Sequence, residues 1–176
     1  RKTIPLEIKE PRVLGKGSWR SPKQTVRPGF LKVLNRRDDA EWLHGKNELA
    51  ALGNWLTNPE HGAGELLARV IVNRLWHHHF GQGLVRTPND FGNLGTRPTH
   101  PRLLDYLARR LIEGGWRLKP MHRLIVTSAV YRQAGTADIA PLKVDAENTL
   151  LWHWRPNRLE AESIRDSLLA VAGVLN

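Results

Sequence analysis

The chain has 176 residues, enough for one ordinary domain with a real core, and its 40% hydrophobic and 25% charged residues exclude a disordered polymer. It contains no cysteine, which removes disulfide frameworks, thiolate metal sites and covalent haem attachment. The net charge of +10 is unevenly placed, because residues 1–37 hold eleven Lys/Arg against Glu7 and Glu10 and the other 139 residues stand at only +1. A basic arm is thus joined to a nearly neutral body, and such an arm attracts polyanions at long range in a salt-dependent way. The bland alternative is a solvated charged extension of a larger protein. No apolar run approaches the roughly 18–20 residues of a membrane span. The chain starts at Arg1 without a methionine or signal peptide, as expected of a fragment or a processed product.

The arm, residues 1–37, contains Pro5, Pro11, Pro22 and Pro28 and shows no helical period. "TIPLEIKE" alternates weakly and "PRVLGKGSW" ends on glycine turn signals, which predicts short strands or extended coil. The body, residues 38–176, reads as helices. "KNELAALGNWLTNP" places Leu49, Leu52, Trp55 and Leu56 on one stripe and stops at Asn58-Pro59. "GELLARVIVNRLWHHHF" gives roughly four turns ended by Gly81. "THPRLLDYLARRLIEGG" starts at Thr99 and Pro101, packs through Leu103, Leu104, Leu107 and Leu111, and stops at Gly114-Gly115. "KPMHRLIVTSAVYRQ" starts at Pro120 and buries Met121, Leu124, Ile125 and Ser128. In "PNRLEAESIRDSLLAVAG", Asn157 is the expected cap, Glu160 the acid of a capping box and Gly173 the stop. The expected fold is mainly α: a bundle-like body of about five helices with an extended or short-stranded basic N-terminal arm.

"NRLWHHHFGQGLVRTPNDFG", residues 73–92, has the look of chemistry. Successive helical side chains point about 100° apart, so His77, His78 and His79 cannot all bind one ion. The i−4 and i+4 positions hold no good zinc ligand, so a metal would need His100, His122, His153 or a carboxylate from another helix. The run reads as packing and hydrogen-bonding groups at a helix C-terminus, where the dipole favours protonated imidazole. Neither a metal nor a cofactor is expected. Thr87, Pro88 and Asp90 read as a helix start, with Asp90 as its N3 acid. Arg86 and Arg97 flank that start and are expected to bind an anion or to pair with acids of the last helix. If the block binds a ligand, the candidate residues are Arg74, His77, His78, Arg86, Asp90 and Arg97. "LEAESIRD" reads as a charge-laced surface or a buried polar network more than as a paired-carboxylate site. No G-x-S-x-G, Walker or G-x-G-x-x-G motif occurs.

In their order, "LAALGNWLTNPEH", "ARVIVNRLWHHHFGQGLVRTPNDFGNLGTRPTHPRLLDYLARRLIEGGWRLKPMHRLIVTSAVYRQ" and "DAENTLLWHWRPNRLEAESIRDSLLAVAG" resemble an uncharacterised family, domain of unknown function 1553. Its members form C-terminal parts of large planctomycete and verrucomicrobial proteins, often beside a planctomycete-type cytochrome c domain. The resemblance covers roughly residues 10–176 and includes the histidines as the family's ordinary "HHFG" run. It implies an exported, extracytoplasmic, multidomain protein, truncated here at its C-terminus, and it carries no catalytic residue. The expected function is a non-catalytic interaction module that holds an anionic polymer, such as an anionic polysaccharide, or a neighbouring domain of the same protein. A polysaccharide-directed hydrolase using His and Asp/Glu around Asn73–Asp90 is the alternative. A nucleic-acid-binding helical domain is a further one, kept open by the basic junction "RRLIEGGWRLKPMHR" but opposed by the neutral body.

Overall fold

A computed structural model describes residues 11–44, 47–135, 139–156 and 158–175. The chain divides into two compact units, 1–64 and 65–176. In the first, β1 (Arg12–Leu14) pairs antiparallel with β2 (Pro22–Thr25), with Arg12 opposite Thr25 and Leu14 opposite Pro22. The connection turns at Lys16 and Gly17, both left-handed (φ 50° and 75°), and Ser18 N–H donates to the Gly15 carbonyl at 3.0 Å. Two positive φ values in succession match the right-handed twist of a hairpin, which is why a glycine stands here. Helices α1 (Asp39–Leu43) and α2 (Glu48–Thr57) follow. Asn47 caps α2 by accepting the Ala50 N–H at 2.7 Å.

The core of this unit is Trp42, Trp55 and Ala63, with Phe30, Leu34 and Leu56 packed on it. Phe30 lies 5.3 Å from Trp55, ring centre to ring centre. The Trp42 indole donates to Asn35 Oδ1 at 2.8 Å, and Asn35 Nδ2 donates to Asp39 at 2.7 Å. Of the stripe expected of α2, Trp55 is buried and Leu56 packs on the core, but the buried face continues through Ala51 and not through Leu49 and Leu52. Ala51 and Trp55, four residues apart, point inward, whereas Leu49 and Leu52 are exposed. The reason is size, since one indole opposite two other large rings fills the interface that a leucine stripe would have lined.

The second unit contains α3 (Gly64–Phe80, begun at the last residue of the first unit), α4 (Pro101–Glu113), α5 (Leu118–Val126), α6 (Ile139–Val144) and α7 (Ala161–Val171). Its core joins Val72, Trp76 and Phe80 of α3 to Leu104, Leu107, Ala108 and Leu111 of α4 and to Met121 and Ile125 of α5. The α4 positions follow i, i+3, i+4, i+7, the spacing of one helical face. Trp76 and Phe80 stack at 4.2 Å, and Tyr131 and Trp154 close the aromatic cluster at 4.7 Å from each other. The expected stops hold: Gly81, Gly115 and Gly173 all have positive φ after α3, α4 and α7.

The chain is therefore mainly α, and the five expected helices are all present. Two short ones, α1 and α6, were not expected, because five or six residues carry too little period to read. Helix α5 starts at Leu118, so Pro120 occupies its first turn instead of opening it. Helix α7 starts at Ala161, after Glu160, which makes no side-chain cap bond; Asn157 lies outside the described residues. Among the described residues no helix is long and apolar enough to cross a membrane.

Candidate functional site

The block 73–92 is organised by Asn73, which is fully buried on the inner face of α3. Its Nδ2 donates to the Val85 carbonyl at 3.0 Å, and its Oδ1 accepts the Val85 N–H at 2.8 Å. The amide group thus pairs with a backbone residue as a neighbouring strand would, and it holds the chain after α3 against the helix. Gly83 makes the approach possible, since a Cβ there would stand 2.5 Å from the Val85 carbonyl oxygen. Thr99 completes the clamp by donating N–H to the Leu84 carbonyl at 2.9 Å.

The helix start expected at Thr87 is a turn. Asp90 N–H donates to the Thr87 carbonyl at 2.9 Å, and Asp90 Oδ1 accepts the Gly92 N–H at 2.9 Å. Thr87 Oγ1 donates to the Asp90 carbonyl at 2.8 Å and accepts Thr96 N–H at 3.0 Å, so these cap-forming side chains are used up locally. Without a helix dipole at this position, Asp90→Asn should leave stability within about 0.5 kcal/mol. Asp90→Ala removes the acceptor and should cost about 0.5–1.5 kcal/mol. Paired thermal melts check both.

The histidines diverge along the end of α3. His77 is half-buried, His78 is exposed, and their rings sit 5.8 Å apart. His79 turns to α5, where its Nε2 lies 2.8 Å from His122 Nδ1. One of the two facing nitrogens must carry hydrogen and the other must be bare. Burial first, then the neighbouring His122 and His78, hold the His79 imidazole below its ordinary value of 6.5. This reverses the expectation that the helix dipole favours protonation here; desolvation and like charge outweigh it. The unfolded chain takes up the proton first, so this contribution to stability is full above about pH 6.5 and falls as the pH drops toward the folded value. Urea melts across that window should show the loss, and His79→Gln should flatten it. Among the described residues no three His, Cys, Asp or Glu side chains converge as a metal site would require.

Arg86 does pair with an acid, but not one of the last helix. Its guanidinium meets Glu147 and donates to Thr149 Oγ1 at 2.9 Å. Sequence reasoning missed this partner segment. Asp145, just past α6, accepts the backbone N–H groups of Leu150 (2.7 Å) and Thr149 (2.9 Å). The Leu150 bond leads in holding its carboxyl below the ordinary 3.8. Asn148, left-handed at φ 51°, accepts Trp152 N–H and donates to the His153 carbonyl at 2.8 Å. The one signal was "DAENT", an Asp and an Asn placed to bond backbone a few residues on. The cavity under Arg86, lined also by Trp76, Thr99, His153 and Trp154, measures about 30 Å³, far below the roughly 300–1,000 Å³ of small-molecule sites.

The contacts of the candidate residues run to different partners. Arg74 donates to Asn89 at 3.1 Å and so touches the turn that carries Asp90. Arg86 is committed to Glu147 and Thr149, and Arg97 is exposed without an ion pair among the described residues. The charged surface lies instead on the basic segment. Between residues 11 and 37 stand eight Lys/Arg and no acid, and all eight are exposed. The loop joining β1 to β2 presents Trp19, 75% exposed, with the Arg20 guanidinium 5.0 Å from its ring centre. In the second unit, "LEAESIRD" is a solvated face, with Arg165 and Asp166 paired at 2.9 Å.

Residues 48–176 match the family PSD1, described as a protein of unknown function (DUF1553). The chain matches no curated protein and no solved structure.

Proposed function

Since the chain belongs to the PSD1 family, whose function is unknown, we propose that it is a non-catalytic interaction module of an exported, extracytoplasmic multidomain protein that holds an anionic polysaccharide on its basic N-terminal hairpin. The observation that carries this reading is the acid-free run of eight exposed cations at residues 11–37. Arg12, Lys16, Arg20 and Lys23 lie on the strands of the hairpin or in its loop, which also exposes Trp19 with the Arg20 guanidinium beside its ring. A pyranose offers an apolar C–H face to an indole and carries its carboxylate or sulfate groups at the ring edge, where flanking cations meet them. A single-stranded nucleic acid prefers successive aromatic platforms, and this segment exposes one Trp.

Residues 30–36 pack into the first unit through Phe30, Leu34 and Asn35, so the test replaces charge instead of deleting chain. The full chain is compared with Lys16→Gln/Arg20→Gln/Lys23→Gln on a heparin column across a salt gradient. The variant should elute at distinctly lower salt, with the logarithmic salt dependence reduced by roughly the three cations removed. Unchanged elution defeats the proposal. Equal retention on a duplex DNA column, with no gain from Trp19 on the polysaccharide, would favour nucleic acid instead.

A further inference from the structure

The basic junction that follows α4 has a geometry the hairpin reading does not use. Between the end of α4 and α5 runs a groove of about 390 Å³, within the usual span of small-molecule sites, roughly 300–1,000 Å³. Arg110 from the last turn of α4, Arg117 from the turn and Arg123 from α5 line it, together with Pro120, Met121 and Leu124. Glu113 is the single acid lining it. None of the three arginines forms an ion pair among the described residues, and the Arg117 side chain donates only to the Gly114 carbonyl at 2.9 Å.

The turn that brings them together is fixed by the backbone. Gly115 and Trp116 are both left-handed (φ 66° and 60°), and Trp116 N–H returns to the Leu111 carbonyl at 2.9 Å. Three arginines are thereby brought to line one groove.

We propose that this groove binds a phosphate monoester carried on a small carbon body. Three cations against one acid leave a surplus of two positive charges, and a phosphate monoester carries about −1.5 to −2 at neutral pH. Guanidinium forks match its oxygens in bidentate fashion. Pro120 and Leu124, the accessible apolar residues of the lining, suit the carbon body and not the phosphate. The inference does not depend on the hairpin, which lies in the other unit.

The test is isothermal titration of the full chain with phenyl phosphate, together with amide NMR shifts, using benzyl alcohol as the uncharged control. Phenyl phosphate should saturate with shifts within residues 110–127, and benzyl alcohol should give none. Arg110→Gln and Arg123→Gln, both exposed positions, should each weaken binding about tenfold, and together they should abolish it while the thermal melt is retained. The triple hairpin variant should bind phenyl phosphate like the parent. No saturable shift in the millimolar range, or full affinity in the Arg110/Arg123 double variant, overturns the assignment. Duplex DNA binding that both arginine substitutions abolish, in the absence of any phenyl phosphate shift, overturns it in favour of nucleic acid.

Discussion

Asn73→Ala is expected to destabilise the 65–176 unit by about 2–5 kcal/mol, because both polar groups of Val85 lose their partner inside the fold and each orphan costs roughly 1–3 kcal/mol. A loss near the middle of that range lowers the melting temperature by roughly 10–20 °C. Gly83→Ala attacks the same lock from the other side, since its Cβ would stand 2.8–2.9 Å from the Asn73 amide atoms as well as 2.5 Å from the Val85 oxygen. The carbonyl is backbone and cannot swing aside, so the segment must move off α3. The two substitutions should therefore be sub-additive, with a coupling of at least about 0.5 kcal/mol in a double-mutant cycle. Strict additivity would mean that they disrupt different things.

Trp55→Ala is expected to cost the first unit about 3–5 kcal/mol, the ordinary result of emptying a large buried aromatic site. The indole is 5% exposed against Phe30 and Trp42. Its Nε1 has no hydrogen-bond partner among the described residues, so removal also relieves a small penalty, which places the loss below the sum of its contacts. Leu49→Ala, by contrast, should stay within about 0.5 kcal/mol, since Leu49 is 79% exposed. Denaturant titration of the two variants under one set of conditions decides which face of α2 holds the unit together. A costly Leu49→Ala would restore the leucine stripe.

These two sites mark where sequence was legible and where it was not. Helices α3 and α4 could be read because their apolar period is long and their stops are glycines that adopt positive φ. The face of α2 was read in its second half, at Trp55 and Leu56, but not in its first, since ten residues offer two apolar stripes and the distant Phe30 and Trp42 help choose between them. The Thr87–Asp90 start failed for a related reason. A capping sequence and a turn sequence use the same side chains, and Thr96, nine residues away, decides which bonds form. Asn73 was not singled out, although it stands as a lone amide on the buried face of α3, ten residues before the Gly83 that lets it work. Glu147, the partner of Arg86, lies 61 residues from it in the chain and left no local signal. The groove beside α5 was foreshadowed as a charge run, but only the turn at Gly115 and Trp116 gathers those charges around a cavity.

Helix α7 has eleven residues, none of them buried, and Ile164, Leu168 and Val171 face outward. An isolated helix of that length is marginal in water, so its amides are protected by little beyond the helix itself. Hydrogen exchange across this chain is therefore graded. The α7 amides open locally at low free energy, whereas the inner faces of α3 and α4 exchange only when the whole unit opens. A perturbation confined to α7 leaves the global transition nearly untouched, and the two ends of the 65–176 unit report different free energies from one molecule.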